Sequence, residues 1–328
     1  MRNMPKFSII MPVYNAEDYL HISLNSIFKQ TMSDFEVIAI NDGSKDGSLK
    51  ILEQYAKDTG KVRVINQINA GPGQARNVGI KDAKGKYIAF LDADDYWSED
   101  FLEAVLEASD NETADYIYIE MVKETIQGKI IARSNVCKNV GISKEQMICR
   151  QITGKMPWGM SKVIKRELVE RINTRFQNLT VGEENIFSYE LLKASSKVAF
   201  VNKVIYHYVQ NENGQHNKGN LDPWRPLVVS FKEYLVKKNE YEHYESTINS
   251  LALKALSICI YRTAIEYPFF SARKRIDKTV KQYFSEYNFS TINKDALDNF
   301  SIIILYLIKN KMFSSLIILS RYRRLKQR

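Results

Sequence analysis

The stretch Ile88–Phe101 reads IAFLDADDYWSEDF, and four apolar residues in it run directly into a group of aspartates. An apolar run of this kind predicts a buried β-strand. Asp92, Asp94 and Asp95 then stand close together at its end, where like charges repel and burial of each charge costs free energy. The stretch therefore predicts a positive partner at this edge of the fold.

Strand-like and helix-like segments alternate around this stretch, through the first 125 residues. This alternation predicts an α/β fold with a parallel sheet covered by helices on both faces. Ligands of such sheets bind at the carboxyl ends of the strands. We therefore expect three polar groups to meet at one edge. The segments are FSIIMPVY (Phe7–Tyr14), FEVIAIND (Phe35–Asp42), VRVINQ (Val62–Gln67), KYIAFLD and DYIYIEM, and the polar groups are Tyr14-Asn15, Asn41-Asp42-Gly43 and Asp92-Ala93-Asp94.

The later sequence has mixed elements and then becomes helical. KMPWGMSKVIKRELV predicts a turn entering a helix, VGEENIFSYELLKAS a helix, and VAFVNKVIYHYVQN a strand. From about Trp224 the pattern is helical. We expect a catalytic domain over residues 1–215, with halves meeting near residue 125, and a helical region over residues 216–328.

Composition narrows the class of protein. The chain has 328 residues, 45% of them apolar, and a formal charge of +9. Residues 271–328 hold 13 Lys/Arg and four Asp/Glu, so the excess charge lies in the tail. Three cysteines without a C-x-x-C pair argue against a disulfide framework and a zinc site, and they predict a reducing, cytosolic location. The opening apolar run is too short for a signal peptide, and no apolar run reaches membrane-spanning length.

The aspartates after the fourth strand are candidate metal ligands. Asp92 and Asp94 are two residues apart and point to the same side of an extended backbone. Carboxylate oxygens directed at one point suit Mg²⁺ or Mn²⁺. The alternative is an acidic turn in which Asp95 caps the next helix.

Three further motifs each have a plain structural interpretation and a functional one. NDGSKDGS is either a turn or a site at which Asp42 accepts hydrogen bonds from a ligand. GPGQAR lacks the third glycine of a dinucleotide fingerprint, but a glycine-led loop with Arg76 can hold an anion. GEEN is either a helix start or the source of a general base, and His207 is either an ordinary strand residue or a ligand.

The order of these motifs is more informative than any one of them. SIIMPVYNAEDYL, VIAINDGSKDGS, NAGPGQARNVGI and GKYIAFLDADD follow one another, and PWGMSKVIKRELV, FQNLTVGEENIF and VIYHYVQN come later. This order resembles glycosyltransferase family 2, most specifically over the first hundred residues and more loosely to Asn211. The resemblance implies a GT-A fold, with a Rossmann-like, mostly parallel sheet flanked by helices, and a UDP-sugar donor.

The resemblance also implies roles on the donor side. Tyr14 stacks on uracil, Asp42 bonds the uracil or ribose, and Arg76 contacts the nucleotide. Asp92 contacts the ribose or the metal's surroundings, and Asp94 coordinates Mn²⁺ or Mg²⁺. The predicted nucleotide-sugar site comprises Pro12, Val13, Tyr14, Asn15, Glu17, Asp42, Asn69, Arg76, Asp92 and Ala93.

Roles on the acceptor side follow from the same resemblance. Family members with an acidic pair commonly use the second acid as base, which points to Glu184, with Glu183 as the alternative. Attack by one activated hydroxyl opposite the diphosphate predicts inversion at the anomeric carbon. His207 matches a position that supplies an extra ligand in some relatives. Trp158 and Lys162 resemble acceptor-subsite residues, although Trp158 also suits a packed core.

The tail, NFSIIILYLIKNKMFSSLIILSRYRRLKQR, is apolar and basic. Lys309 and Lys311 interrupt it, and the last 20 residues hold seven Lys/Arg and no acid. Such a helix can lie on an anionic lipid surface, or it can pack on the catalytic domain with a solvated basic end. Self-association through these helices is a further expectation. Nucleic-acid binding is not expected, because the basic residues lack a recognised fold or an aromatic platform.

Together these features predict a metal-dependent inverting glycosyltransferase. Its acceptor is expected to be a saccharide or a lipid-linked saccharide, in bacterial capsule, teichoic-acid or other surface-glycan assembly at the cytoplasmic side of the membrane. The alternative is a non-catalytic nucleotide-sugar-binding or scaffold subunit with the same fold. A nucleotidyltransferase would need a basic phosphate-binding signature near the first strand, which MPVYNAEDY lacks.

Overall fold

The computed structural model describes residues 4–157, 159–178, 182–210 and 220–326. These residues form two compact units. The first contains the described residues within Met1–Ile142, Met156–Asn178 and Glu183–Gly214, and the second those within Ser143–Lys155, Leu179–Gly182 and Gln215–Arg328. The functional halves predicted from the sequence stay a proposal.

Nine strands form one mixed sheet in the first unit, in the order β3-β2-β1-β4-β8-β6-β9-β5, with β7 paired to β6. Their bounds are β1 (Phe7–Val13), β2 (Phe35–Asp42), β3 (Val62–Gln67), β4 (Tyr87–Phe90), β5 (Tyr96–Trp97), β6 (Tyr116–Thr125), β7 (Ile130–Arg133), β8 (Lys162–Lys165) and β9 (Val198–Gln210).

The direction of the strands changes beyond β4. Strands β1 to β4 are parallel, as predicted. Strand β8 is antiparallel to both β4 and β6, while β9 is parallel to β6 and antiparallel to β5. Because β8 is antiparallel to both of its neighbours, β6 and β9 run in the same direction as the first four strands. The mostly parallel sheet predicted from the sequence is therefore confirmed, with β5, β7 and β8 as its antiparallel strands.

Helices along the chain are distributed over both units. The first unit contains α1 (Glu17–Phe28), α2 (Ser48–Thr59), α3 (Pro72–Asp82), α4 (Phe101–Ala108), α6 (Arg166–Ile172) and α7 (Glu183–Ala194), and the second contains α5 (Lys144–Ile152), α8 (Arg225–Lys237), α9 (Tyr241–Glu266), α10 (Phe269–Glu286), α11 (Asn299–Lys309) and α12 (Phe313–Lys326). The spacing of Leu20, Leu24, Ile27 and Phe28 predicts one apolar face for α1. The structure buries the first three fully and Phe28 partly.

Two segments differ from the sequence prediction. Residues 162–165 form strand β8 rather than part of a turn entering a helix, and four residues are too few to show a strand period. Val163 and Ile164 are fully buried there. The tail forms two helices rather than one, because Lys311 adopts a left-handed conformation with φ 55° between α11 and α12.

The second unit is built around α9. Helices α5, α8, α10, α11 and α12 pack on it. Among the described residues, α9 is the one helix with the length and hydropathy to cross a membrane, but 72% of its most apolar window is buried within the protein. Its apolar character therefore matches the demands of a central packing helix.

Helix α3 lies unusually close to β1 and β2 because Gly79 has no side chain. A Cβ at this position would lie 2.4 Å from Ile10 Cγ2 and 3.0 Å from Ile40 Cδ1. Both isoleucines are fully buried in the sheet, so neither can move aside freely.

Replacement of Gly79 by alanine should destabilise the protein, although alanine is the better helix former. We expect the overpacking to lower the free energy of unfolding by about 1–3 kcal/mol, which outweighs a gain of about 1 kcal/mol in helix propensity. Urea unfolding measures the difference. The control Lys81→Ala changes an exposed position of the same helix and should be near neutral. A stabilised Gly79→Ala protein would contradict this packing.

Candidate active site

The carboxyl ends of β1, β2 and β3 lie side by side. Val13 pairs with Asn41, and Asn41 pairs with Asn66. On the other side of β1, the N–H of Leu91 donates to the Ile10 carbonyl at 3.1 Å, so the residues after β4 leave the sheet at the same edge. The structure therefore brings together the three polar groups as predicted.

The segment predicted to hold the nucleobase exposes one of its three side chains. Val13 is fully buried in the core, and Pro12 is partly buried. Tyr14 is 42% exposed at the end of β1, which makes its ring the accessible surface of this segment. A ring in this position suits stacking on a planar base.

Two predicted donor-site residues, Asn15 and Glu17, hold the loop that follows β2. The Asn15 side-chain oxygen accepts from the N–H of Lys45 at 2.8 Å, and the Asn15 N–H donates to Ser44 Oγ at 3.1 Å. The Glu17 carboxylate accepts from the Gly47 N–H. These hydrogen bonds fasten the loop to the start of α1. Contact of either side chain with a nucleotide-sugar stays a prediction.

Asp42 orders the connection from β3 into α3. Its buried carboxylate accepts from Gln67 Nε2 at 2.7 Å and from the N–H groups of Ala70 and Gly71 at 2.9 Å each. Both carboxylate oxygens are therefore used within the protein, and a bond from Asp42 to uracil or ribose stays a prediction. Asn69 lies in the ordered connection with its side chain exposed to solvent.

Arg76 is a positive partner of the aspartates, a role that the sequence led us to expect of a divalent cation. Its Nη2 lies 2.6 Å from Asp92 Oδ1, and the side chain is 5% exposed against 28% for Asp92. The guanidinium also lies 5.5 Å from the centre of the Phe176 ring. A charge-assisted bond of this length in a largely dry setting is a strong one. Arg76 thus neutralises Asp92, and its contact with a nucleotide stays a prediction.

Asp94 is the second of the three aspartates in this turn. It is partly buried, and among the described residues its carboxylate has no hydrogen-bond partner from another residue. Burial, together with the negative charge of Asp92, raises the pKa of Asp94 to about 6. A nearby cation would remove this penalty.

The donor set fits a divalent cation that is shared with a substrate. No group of three or more His, Cys, Asp or Glu side chains among the described residues could hold a metal by itself. Mg²⁺ and similar ions are commonly bound through one or two carboxylates together with substrate phosphates. Asp94 alone at the edge of the site matches that arrangement and does not match an all-protein cage.

Asp95 has a structural role. It is 1% exposed, and it accepts from the Tyr206 hydroxyl at 2.7 Å and from the Val209 N–H at 3.0 Å. Burial and the charges of Asp94 and Asp92 raise its pKa well above the usual range. Helix α4 instead begins after Asp100, so the alternative in which Asp95 caps the next helix is wrong.

Ser23 on α1 fixes the backbone of the same turn. Its hydroxyl lies 2.7 Å from the Ala93 carbonyl and 2.6 Å from the Asp95 carbonyl. Ala93 is buried, so its predicted contact with a donor would have to come from the backbone.

His207 is held by protein groups on both sides of its ring. Nε2 lies 3.2 Å from Ser98 Oγ, and Nδ1 lies 3.5 Å from the carboxylate of the buried Glu124. The ring stacks on Tyr96 with centroids 4.4 Å apart. Coordination of a metal would require one of these nitrogens to change partner, and that role stays a prediction.

The predicted base lies in the first turn of α7. Glu184 is partly buried, and the side chain of Glu183 lies outside the described residues. Burial, with a smaller effect from the negative charge of Glu184, raises the pKa of the buried Tyr116. The two groups are therefore close enough to interact.

Lys162 lies beneath α7 rather than on an open surface. It is 1% exposed, and its Nζ donates to Ser188 Oγ at 2.8 Å, one helical turn after Glu184. The ammonium therefore fixes the helix that carries the predicted base, and contact with an acceptor stays a prediction. Trp158, the other predicted acceptor residue, lies outside the described residues.

Sequence reasoning missed the link between Asp95 and β9. The alternation of side chains along a strand places Tyr206 and Tyr208 on the face opposite His207. That signal was available in IYHYV, but the partner of Tyr206 is 111 positions away in the chain. Ser188 and Ser23 gave no signal, because a serine on a helix is common.

Comparison with known proteins identifies the family. Residues 8–172 match the family model of glycosyl transferase family 2. The uncharacterized glycosyltransferase EpsJ of Bacillus subtilis is 31% identical over 248 residues, which cover 74% of this chain and 71% of EpsJ. The poly(ribitol-phosphate) beta-N-acetylglucosaminyltransferase TarS of Staphylococcus aureus is 29% identical over 217 residues, 65% of this chain and 37% of TarS. The chain belongs to glycosyltransferase family 2 and is a glycosyltransferase.

Two solved structures share its fold. Residues 1–349 of S. aureus TarS, crystallised with UDP-GlcNAc, align with a TM-score of 0.59 at 19% identity over 86% of this chain and 92% of that one. The mannosyltransferase PcManGT from Pyrobaculum calidifontis, in complex with GDP-Man and Mn²⁺, aligns with a TM-score of 0.57 at 15% identity over 99% and 88%. The GT-A fold expected from the sequence is confirmed.

Loss of the Arg76 guanidinium should destabilise the turn. We expect Arg76→Gln to lower the free energy of unfolding by about 2 kcal/mol, less than for a fully buried pair because Asp92 is partly solvated. The double variant Arg76→Gln/Asp92→Asn should recover most of this loss, since it removes the unpaired charge. Urea unfolding measures both.

The matched control is Lys203→Gln, which breaks a more exposed ion pair with Asp100. This substitution should lower the free energy of unfolding by less than about 1 kcal/mol. Equal losses in the single and double Arg76 variants would contradict a charge-based role.

Proposed function

We propose that this glycosyltransferase moves a hexosyl or N-acetylhexosaminyl group from a UDP-sugar to a hydroxyl of a saccharide or lipid-linked acceptor. The reaction depends on Mn²⁺ or Mg²⁺ and inverts the anomeric carbon. One observation carries the proposal: Arg76 neutralises Asp92 and β9 engages Asp95, whereas the carboxylate of Asp94 has no hydrogen-bond partner from another described residue. The UDP-GlcNAc complex of TarS and the Mn²⁺ complex of PcManGT support it.

The donor side has an aromatic surface for the nucleobase and a carboxylate for the cation at the diphosphate. The exposed ring of Tyr14 would stack on uracil, and Asp94 would hold the cation. A bound divalent ion supplies neutralisation of the charge that develops on the leaving diphosphate. The loops fastened by Asn15, Glu17 and Asp42 keep this edge ordered before the donor arrives, which lowers the entropic cost of binding.

The acceptor side needs a base, because a sugar hydroxyl is a poor nucleophile at neutral pH. A carboxylate that takes the hydroxyl proton during attack accelerates such a step by about 10²–10⁴-fold. We assign this role to Glu184, whose helix is fixed through Lys162 and Ser188. The oxygen attacks C1 from the face opposite the diphosphate, the C1–O bond to the diphosphate breaks, and the configuration inverts.

The wider setting follows from the sequence. We assign the donor half to residues 1–125, the acceptor half to residues 126–215 with Trp158 and Lys162 near the acceptor, and the helical region to residues 216–328. We place the reaction in the cytoplasm, at the inner face of the bacterial membrane, in capsule, teichoic-acid or other surface-glycan assembly. The free thiols of Cys149 and Cys259 are compatible with that compartment.

A panel of UDP-sugars tests the donor and the cation together. With Mn²⁺ present, at least one UDP-sugar should release UDP, and removal of the ion with EDTA should stop the release. Asp94→Ala should lower the rate by about 100-fold or more, since the ion loses its protein ligand. Asp58→Ala, at an exposed position on α2, is the control and should retain full activity. Metal-independent release of UDP by the Asp94→Ala protein would exclude this proposal.

Neutralising the proposed base should separate binding from chemistry. Glu184→Gln should lower the transfer rate by about 100-fold or more, while calorimetry with UDP and Mn²⁺ should give unchanged affinity. Glu183→Gln is the matched control and should retain most activity. The reverse pattern would assign the base to Glu183. UDP binding without transfer in the unaltered protein, across the donor panel and with saccharide acceptors, would favour a non-catalytic subunit.

A further inference from the structure

The two C-terminal helices carry apolar residues on their outer faces. Helix α11 exposes Ile303 and Tyr306, three positions apart, and α12 exposes Ile318, Tyr322 and Leu325 at spacings of four and three. These spacings place the residues of each helix on one stripe. The five side chains are between 46% and 70% exposed. We refer to Ile303, Tyr306, Ile318, Tyr322 and Leu325 as the outer stripe.

Packing explains the opposite faces of these helices but not the outer stripe. On α12, Leu316, Ile317 and Ser320 are fully buried. On α11, Ile304 and Ile308 are buried in the same way. Both helices pack on α9 and on each other, so their inner faces are already used.

The two helices that carry the outer stripe lie side by side. They form an antiparallel pair, because the Arg323 guanidinium near the end of α12 lies 4.0 Å from the ring of Phe300 at the start of α11. Met312, in the turn between them, is 42% exposed. Apolar side chains at the surface are ordinary when scattered singly, whereas a group of five on two adjacent helices is typical of an interaction surface.

The charged residues on the two helices that carry the outer stripe all have one sign. Residues 299–326 hold six Lys/Arg and no Asp or Glu. Lys309, Lys311 and Arg324 are exposed. Arg321 is used internally, because it donates to the carbonyls of Ala264 and Tyr267 at 2.9 Å each.

This combination selects one class of partner. Helices of 11 and 14 residues are too short to span a bilayer, which needs about 20 residues. An apolar face bordered by basic residues lies instead in the interface of an anionic membrane. A second copy of the chain would bring the basic residues of two such helix pairs together, and their repulsion disfavours that occupant.

We propose that the outer stripe, with Lys309, Lys311 and Arg324, docks the protein on an anionic lipid surface. The apolar side chains enter the headgroup region, and the basic ones contact lipid phosphates. This inference names the surface behind the membrane location suggested above. It does not depend on sugar transfer, because a protein without activity would bind lipid equally well through this surface.

Sedimentation of the full chain with vesicles tests the surface. The protein should bind vesicles that contain phosphatidylglycerol and should bind pure phosphatidylcholine at least tenfold more weakly. Raising NaCl to about 1 M, where the Debye length is about 3 Å, should release most of the protein. Absence of binding to anionic vesicles would overturn the proposal.

Two sets of variants separate the apolar and the charged contributions. Ile318→Ser/Tyr322→Ser/Leu325→Ser should weaken binding to anionic vesicles at least tenfold, and so should Lys309→Gln/Lys311→Gln/Arg324→Gln. The control Ile22→Ser/Val236→Ser removes exposed apolar side chains elsewhere, and Lys50→Gln/Lys57→Gln/Lys81→Gln removes the same number of exposed charges elsewhere. Both controls should bind as the unaltered protein does.

The remaining outcomes are also decisive. Wild-type binding by both test variants would overturn the proposal, and so would equal losses in the tests and their controls. A concentration-dependent dimer that the serine variant abolishes would assign the outer stripe to a second copy. If the triple serine variant does not fold, Leu325→Ser alone, at a position 70% exposed, should still weaken binding severalfold. Calorimetry with UDP and Mn²⁺ should be unchanged in every variant, so failure here and failure of the proposed function are distinguishable.

Discussion

The pair between Arg76 and Asp92 is the interaction on which the candidate site depends, because it lets three carboxylates follow a buried strand. The position of Arg76 depends in turn on α3, whose start is held by the bond from Gly71 to Asp42. Gly79 then lets the helix lie close against the sheet. Asp42 and Asp92 follow different strands, yet α3 connects them. A substitution at the end of β2 should therefore alter the position of Arg76 and, through it, the turn after β4.

Asp95 provides a second connection, from the donor side of the sheet to its far edge. Its bonds to Tyr206 and Val209 fix β9 against the turn that carries Asp94. Tyr96 and His207 continue the same contact through their stacked rings, above the buried Glu124. The three aspartates thus differ in their contacts: Asp92 is neutralised, Asp95 fastens a strand, and Asp94 has no hydrogen-bond partner from another described residue.

The sequence predicted the parts of the fold in which apolar residues recur regularly over several positions or in which motifs follow one another in a set order. Strands β1 to β4, the apolar face of α1 and the meeting of polar groups at one edge follow from patterns within single segments. Strand β8 is four residues long and has no such pattern. The division of the tail depends on the backbone conformation of Lys311, which composition does not determine.

The candidate site was predictable as a set of residues but not as a set of partners. A cation beside the aspartates was expected, but a guanidinium 16 positions away fulfils that role for Asp92. Lys162 was predicted as an acceptor-subsite residue, and nothing in the sequence indicated that its ammonium is buried beneath α7 and bonds Ser188. Pairings of this kind depend on tertiary packing, which a single sequence does not report.

The irregular pairing of β6 with β9 has a consequence for how such chains can vary in length. Ile119 pairs with Val201, but the next residue, Glu120, pairs with Val204, so β9 carries two additional residues there. The anchors of β9 to Asp95 lie beyond this irregularity, at Tyr206 and Val209. Insertions or deletions around residues 202–203 would therefore change the size of this bulge. The pairing beyond it, and with it the position of the turn that carries Asp94, would be unchanged.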